Sequence, residues 1–193
     1  MMPLYLRYIL PVCFAVFSSA VFALDNWWQT VLSEQPYPKI QNAVESGGNW
    51  YHCETDLSGS DPSAKALCLD DFHYYHQHLY GEVTLGDDIA HFVFLSQYQW
   101  QNWNDLILNL RKDGFVMRRL QFDDAEYDVL NSLKQKSAEA VDKEVILMMN
   151  RYPSEARRIT EWVRPNEFDS ISPSLKVMLE SDGDIIKMHV TRF

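Results

Sequence analysis

Three of the six histidines fall in one run, His73-Tyr74-Tyr75-His76-Gln77-His78. Read as a β-strand, the run points His76 and His78 to one face with Cα atoms about 6.6 Å apart. At that spacing two imidazoles can reach one zinc ion. His73 then points to the opposite face. His76 and His78 are therefore the candidate metal ligands, and a third ligand must come from a neighbouring strand that the sequence does not identify. Zinc is the one metal or cofactor for which any donor spacing exists. The competing reading is aromatic and histidine packing on a half-exposed sheet, with no cofactor at all.

Glu82 and His91 form a second candidate pair. A hairpin turning at Gly86-Asp87 sets them across from each other, and a carboxylate so placed can orient a histidine for general-base work. Opposite charges facing across a ladder are also ordinary sheet chemistry. No nucleophile accompanies them. The chain has no G-x-S-x-G, H-E-x-x-H or P-loop motif, and with seven glycines in all no Gly-rich phosphate cradle is expected. The catalytic residues of an enzyme are thus not identified, and a non-enzymatic role is the expectation.

Cys53 and Cys68 remain once Cys13 leaves with the leader described below. An even pair in an oxidising compartment predicts a disulfide. It closes a short polar loop, and its fifteen-residue spacing suits a structural staple rather than a catalytic dithiol, whose cysteines sit two residues apart.

Met1 to Ala23 places Arg7 before the apolar run Ile9 to Phe17 and then small residues ending in Val21-Phe22-Ala23. This order predicts a cleavable secretory signal over residues 1–23, cut before Leu24. The run is shorter than the ~20 apolar residues of a spanning helix. Leu10-Pro11-Val12-Cys13 is a poor lipoprotein box, since valine precedes the cysteine and little apolar sequence precedes both. The terminal Phe193 does not extend the alternation of Ile186, Met188 and Val190, as a barrel strand would. No stable membrane anchor is expected. No Asn-x-Ser/Thr sequon occurs, which favours a bacterial periplasm over a glycosylating route.

The formal net charge is -10, and loss of Arg7 makes it one unit more negative. Such a field repels nucleic acid and anionic lipid and speeds encounter with a basic protein. Six tryptophans and ten tyrosines offer stacking or anchoring surfaces. Trp103 falls on a helical apolar stripe, whereas Trp27 and Trp100 fall outside such stripes and are expected at the surface.

The elements that must position these groups can be read with varying resolution. Trp28, Val31 and Leu32 share one face of a short helix capped by Asp25, and a second helix runs from about Lys39 to Gly47-Gly48. Asn49 to Glu54 reads as a short strand. Phe72 to Leu95 reads as a hairpin pairing Val83 with Ala90, Gly81 with Phe92 and Leu79 with Phe94. Tyr98 to Lys112 is an amphipathic helix, and Phe115 to Phe122 a strand. Ala125 to Tyr152 reads as one helix, or two with a break near Ser137. Arg157 to Arg164 is a strand. Leu175 to Thr191 is a hairpin on a two-residue Asp182-Gly183 turn, pairing Leu179 with Ile186, Val177 with Met188 and Leu175 with Val190. The order predicts a single α+β domain over residues 24–193, a mostly antiparallel sheet with helices packed on one face.

These features together predict an exported, non-enzymatic binding protein of the periplasm, an inhibitor or toxin-neutralising protein with a basic protein partner. The alternatives are a metal-dependent or other small hydrolase acting on envelope polymers through His76 and His78, and an envelope glycan-binding module using the tryptophans.

Overall fold

The computed structural model describes residues 26–47, 49–53, 65–123 and 125–193. The expected leader, the Asp25 cap and the polar loop after Glu54 lie outside the described residues. Helices α1 (Asn26–Leu32) and α2 (Tyr37–Ser46) precede strands β1 (Tyr51–His52), β2 (Lys65–Tyr74), β3 (Gln77–Leu85) and β4 (Ala90–Gln97). Helix α3 (Trp100–Lys112) leads to β5 (Val116–Phe122) and β6 (Ala125–Asp128). Helices α4 (Val129–Leu133) and α5 (Ala138–Arg151) follow, then β7 (Arg158–Val163), β8 (Leu175–Ser181) and β9 (Ile185–Arg192). The strands form one nine-stranded sheet in the order β1-β2-β3-β4-β9-β8-β7-β5-β6, antiparallel at every pairing. The α+β architecture with its helices on one face is as the sequence predicts.

Alternation explains the sheet's two faces. Phe72, Val83, Phe92, Phe94, Val190 and Val177 point one way and are fully buried. They join Trp28, Val31, Ile40, Trp103, Leu106 and Val145 from the helices in one apolar cluster. Alternate strand residues point to the other face, which no described helix covers.

Both hairpins carry the predicted residues on the predicted face, yet both registers are shifted by two. Val83 pairs with Phe92 and Leu85 with Ala90; Leu179 pairs with Met188 and Ser181 with Ile186. Each loop therefore holds four residues, not two. A type I′ turn needs positive φ at both central residues. Of Asp182-Gly183, only Gly183 has it, at φ 97°. The Asp182 carboxylate instead accepts from the backbone N–H groups of Asp184 and Ile185 at 3.1 and 3.2 Å, which closes the longer loop. Around Gly86-Asp87 neither residue is left-handed, and the Gly86 N–H donates to the Ile89 carbonyl at 2.9 Å. Because the shift is an even number, no side chain changes face.

Two other readings need correction. Ala125–Asp128 is an edge strand paired with β5 rather than helix. The Asp128 side chain then accepts from the Asn131 N–H and starts α4, while Ser137 caps α5 at the expected break. Residues 72–85 are not one strand: β2 and β3 turn back at Tyr75-His76, with Tyr74 paired to Gln77.

Candidate functional site

That turn rearranges the histidines. His76 sits in the turn, not on a strand beside His78 as the sequence predicts. His73 and His78 are opposite each other across the β2–β3 ladder instead, with ring centroids 5.4 Å apart. Asp71 joins them. Its Oδ1 lies 3.1 Å from His73 Nδ1 and 3.2 Å from His78 Nε2.

A β-bulge explains how Asp71 arrives there. Leu69 pairs with Gly81 and Phe72 with Leu79, so β2 holds one residue more than β3 over that stretch. Leu69 and Phe72 both face the core, at 3% and 0% exposure. The extra residue leaves Asp70 and Asp71 together on the open side, a re-aiming that bulges commonly perform.

The hairpin tip is held from below. Tyr75 takes φ 59°, a left-handed conformation in which a bulky side chain is uncommon. Its hydroxyl donates to Asp113 Oδ1 at 2.6 Å, and the Tyr74 hydroxyl donates to Asp113 Oδ2 at 2.7 Å. Lys112 Nζ lies 5.2 Å from the centre of the Tyr75 ring.

Farther across the open face lies a groove of about 900 Å³ over β1, β2, β3, β4 and β9. Its floor includes Glu82, His91, Val93, Leu95 and His189, and Tyr51, Tyr80, Asp70, Lys187 and the cystine also line it. Cys53 and Cys68 are bonded, with Cα atoms 5.2 Å apart, beside the β1–β2 pairing. The Tyr51 hydroxyl donates to Asp70 Oδ1 at 2.6 Å.

Glu82 pairs with Val93, not His91, as the two-residue shift requires. His91 instead pairs with Thr84 and Thr191, and its Nδ1 lies 3.0 Å from Thr191 Oγ1. Its ring stacks on His189 with centroids 5.7 Å apart and planes 29° from parallel. Burial holds both imidazoles below their usual value. Lys176 adds to this at His91; at His189 the neighbouring His91 adds to it and Glu180 opposes it. Two neutral rings therefore form part of the groove floor near neutral pH. Lys176 near His91 and Lys187 near His189 act on the rings through their charge.

The cluster of Asp71, His73 and His78 lies outside this groove: none of the three lines it. Among the described residues, the one group of His, Cys, Asp and Glu that brings three donor atoms within 4.8 Å of one another is Cys53, Cys68 and Glu82. The disulfide already occupies both of its sulfurs.

Trp27 is buried at 2% exposure, against expectation. Trp27 and Trp28 both pack on Phe72, Phe92 and Phe94 of the sheet, so the off-face Trp27 is enclosed as well. Trp27 packs against Trp28, Trp50 and Phe72 with centroids 5.1–5.6 Å apart. Trp100 is exposed as expected, at 45%, beside the buried Arg158 guanidinium.

Sequence reasoning missed Asp71 and His189. Asp71 shares parity with His73 and would follow from running the strand back from His78 through the turn. His189 meets His91 only through the pairing of β4 with β9, for which no local signal exists.

Among the described residues, no helix is long and apolar enough to cross a membrane. In comparisons with known proteins, the chain matches no family model, and no curated protein or solved structure shows significant similarity to it.

Proposed function

We propose that this is an exported, non-enzymatic binding protein that receives a basic protein partner on the open face of its sheet. An inhibitor or toxin-neutralising role in the periplasm is the concrete form. The observation that carries the reading is the groove over β1–β4 and β9. Half-buried Val93 and Leu95 lie there beside the Asp70 and Glu82 carboxylates and the aromatic rings of Tyr51 and Tyr80. Arginine and aromatic anchors dominate protein interfaces, and this lining suits an arginine of the partner. The net charge of -10 favours rapid encounter with such a protein. The cystine supports a life in an oxidising compartment.

Separation of the histidine cluster from the groove favours binding over hydrolysis, because a hydrolase needs its reacting groups inside the substrate cleft. Burial of Trp27 removes one of the two stacking surfaces that a glycan-binding role would use.

The test is affinity capture from periplasmic extract with three baits: the native protein, Tyr80→Ala and Asp70→Asn. A stoichiometric basic partner that is retained by the native bait, released by salt and lost from both variants is the expected result. Capture that ignores both substitutions, or the absence of any salt-sensitive partner, overturns the proposal.

A further inference from the structure

We propose that Asp71, His73 and His78 form a binding site for a divalent transition metal, zinc above all, at the tip of the β2–β3 hairpin. Two imidazole nitrogens flank a single carboxylate oxygen, Asp71 Oδ1, at 3.1 and 3.2 Å. A neutral imidazole offers a lone pair at either ring nitrogen according to its tautomer. The geometry that holds a carboxylate oxygen between the rings can therefore hold a cation there, with Asp71 turned to serve as the third ligand.

Zinc bonds to nitrogen and carboxylate oxygen measure about 2.0–2.2 Å, so each imidazole nitrogen must close in by about 1 Å on the point that Asp71 Oδ1 now fills, and that oxygen must swing aside by about 2 Å. Their side chains are 59%, 42% and 67% exposed for His73, His78 and Asp71, which leaves them room for that movement. Exposure also leaves the fourth position to water or to a group from another molecule.

Two features argue that the constellation is built rather than incidental. The bulge between Leu69 and Phe72 places a carboxylate beside an opposed histidine pair. The tip that carries both histidines is fixed by two hydrogen bonds to Asp113, despite the left-handed backbone at Tyr75. Strained backbone held by outside contacts is characteristic of sites that need fixed geometry. A two-histidine, one-carboxylate set suits zinc and other imidazole-binding first-row metals rather than calcium or magnesium, which prefer all-oxygen ligands.

This site is independent of the protein partner proposed above, and its test needs only the isolated oxidised protein. Zinc is titrated calorimetrically into chelator-treated protein near neutral pH, and cobalt absorption serves as a second readout. The expectation is one ion per chain. Affinity should fall by about tenfold or more in each of His73→Gln and His78→Gln, and fall also in Asp71→Asn. His76→Ala should match the native protein, since His76 belongs to the turn. The substituted side chains are exposed, so circular dichroism should show an unchanged fold. Absence of binding, binding that survives loss of His73, or dependence on His76 in place of His73 each overturns the assignment.

Discussion

Tyr75 donates its hydroxyl to Asp113 Oδ1 at 2.6 Å, across 38 residues of sequence. This bond joins the β2–β3 turn to the C-terminal end of α3. Burial and the Asp113 hydrogen bond together push the Tyr75 hydroxyl up to about 12. The same carboxylate accepts from Tyr74, which is fully buried. Removing it leaves one enclosed hydroxyl without its acceptor and releases the strained turn. Asp113→Ala should cost about 2–3 kcal/mol of stability and Tyr75→Phe about 1 kcal/mol. Chemical denaturation of both variants checks this. Equal, negligible losses would show that the clamp does not hold the turn.

His91 and His189 make stability fall in mild acid. Both are held below the usual imidazole value of 6.5, chiefly by burial. The unfolded chain therefore binds protons at a higher pH than the folded one. This contribution is intact above pH 6.5 and is lost as the pH drops below it toward the folded-state values. Urea midpoints measured between about pH 7.5 and about pH 5 should decline, and the His91→Gln/His189→Gln double variant should decline less steeply.

Loss of the cystine should be felt globally. The two cysteines are 15 residues apart, so replacing both by serine should cost about 3 kcal/mol and lower the melting temperature by about 6–12 °C. The native strand pairs between β2 and β3 do not depend on the bridge, so a cooperative transition should remain. Differential scanning calorimetry measures the shift, and an unchanged midpoint would show that the bridge adds no stability.

Trp27 and Trp100 should respond in opposite ways to truncation. Trp27→Ala opens a cavity inside the aromatic cluster and should cost about 3–5 kcal/mol. Trp100→Ala loses mainly an exposed ring beside Arg158, and should cost about 1 kcal/mol or less. Thermal unfolding of the two variants, run side by side, distinguishes them. Similar losses would contradict the burial of one and the exposure of the other.

Facial assignment was legible in the sequence because it depends only on parity. Val83, between Glu82 and Thr84, and Val190, between His189 and Thr191, alternate with polar neighbours, and both are buried. Register was not legible, because loop length depends on whether Asp182 spends its carboxylate on two following N–H groups. The turn at Tyr75-His76 carries no glycine or asparagine to announce it. It depends on Asp113, a partner brought near by α3, and the reading of His76 as a strand ligand failed for that reason. Ala125–Asp128 took strand form because the β5 edge was available for pairing, a tertiary effect stronger than local helical preference. The His91–His189 stack likewise requires knowing that two segments 100 residues apart are neighbours.

The position of β9 has a consequence for how the molecule assembles. This strand is made after all the other eight, yet it lies between β4 and β8 and zips the two halves of the sheet together. Until it emerges, β4 and β8 each present an unsatisfied edge, and neither half has its central neighbour. Seam closure must wait for β9 and bridge long stretches of sequence, which makes folding slow. Deleting Ile185–Arg192 should therefore leave two aggregation-prone fragments of a sheet rather than a trimmed protein.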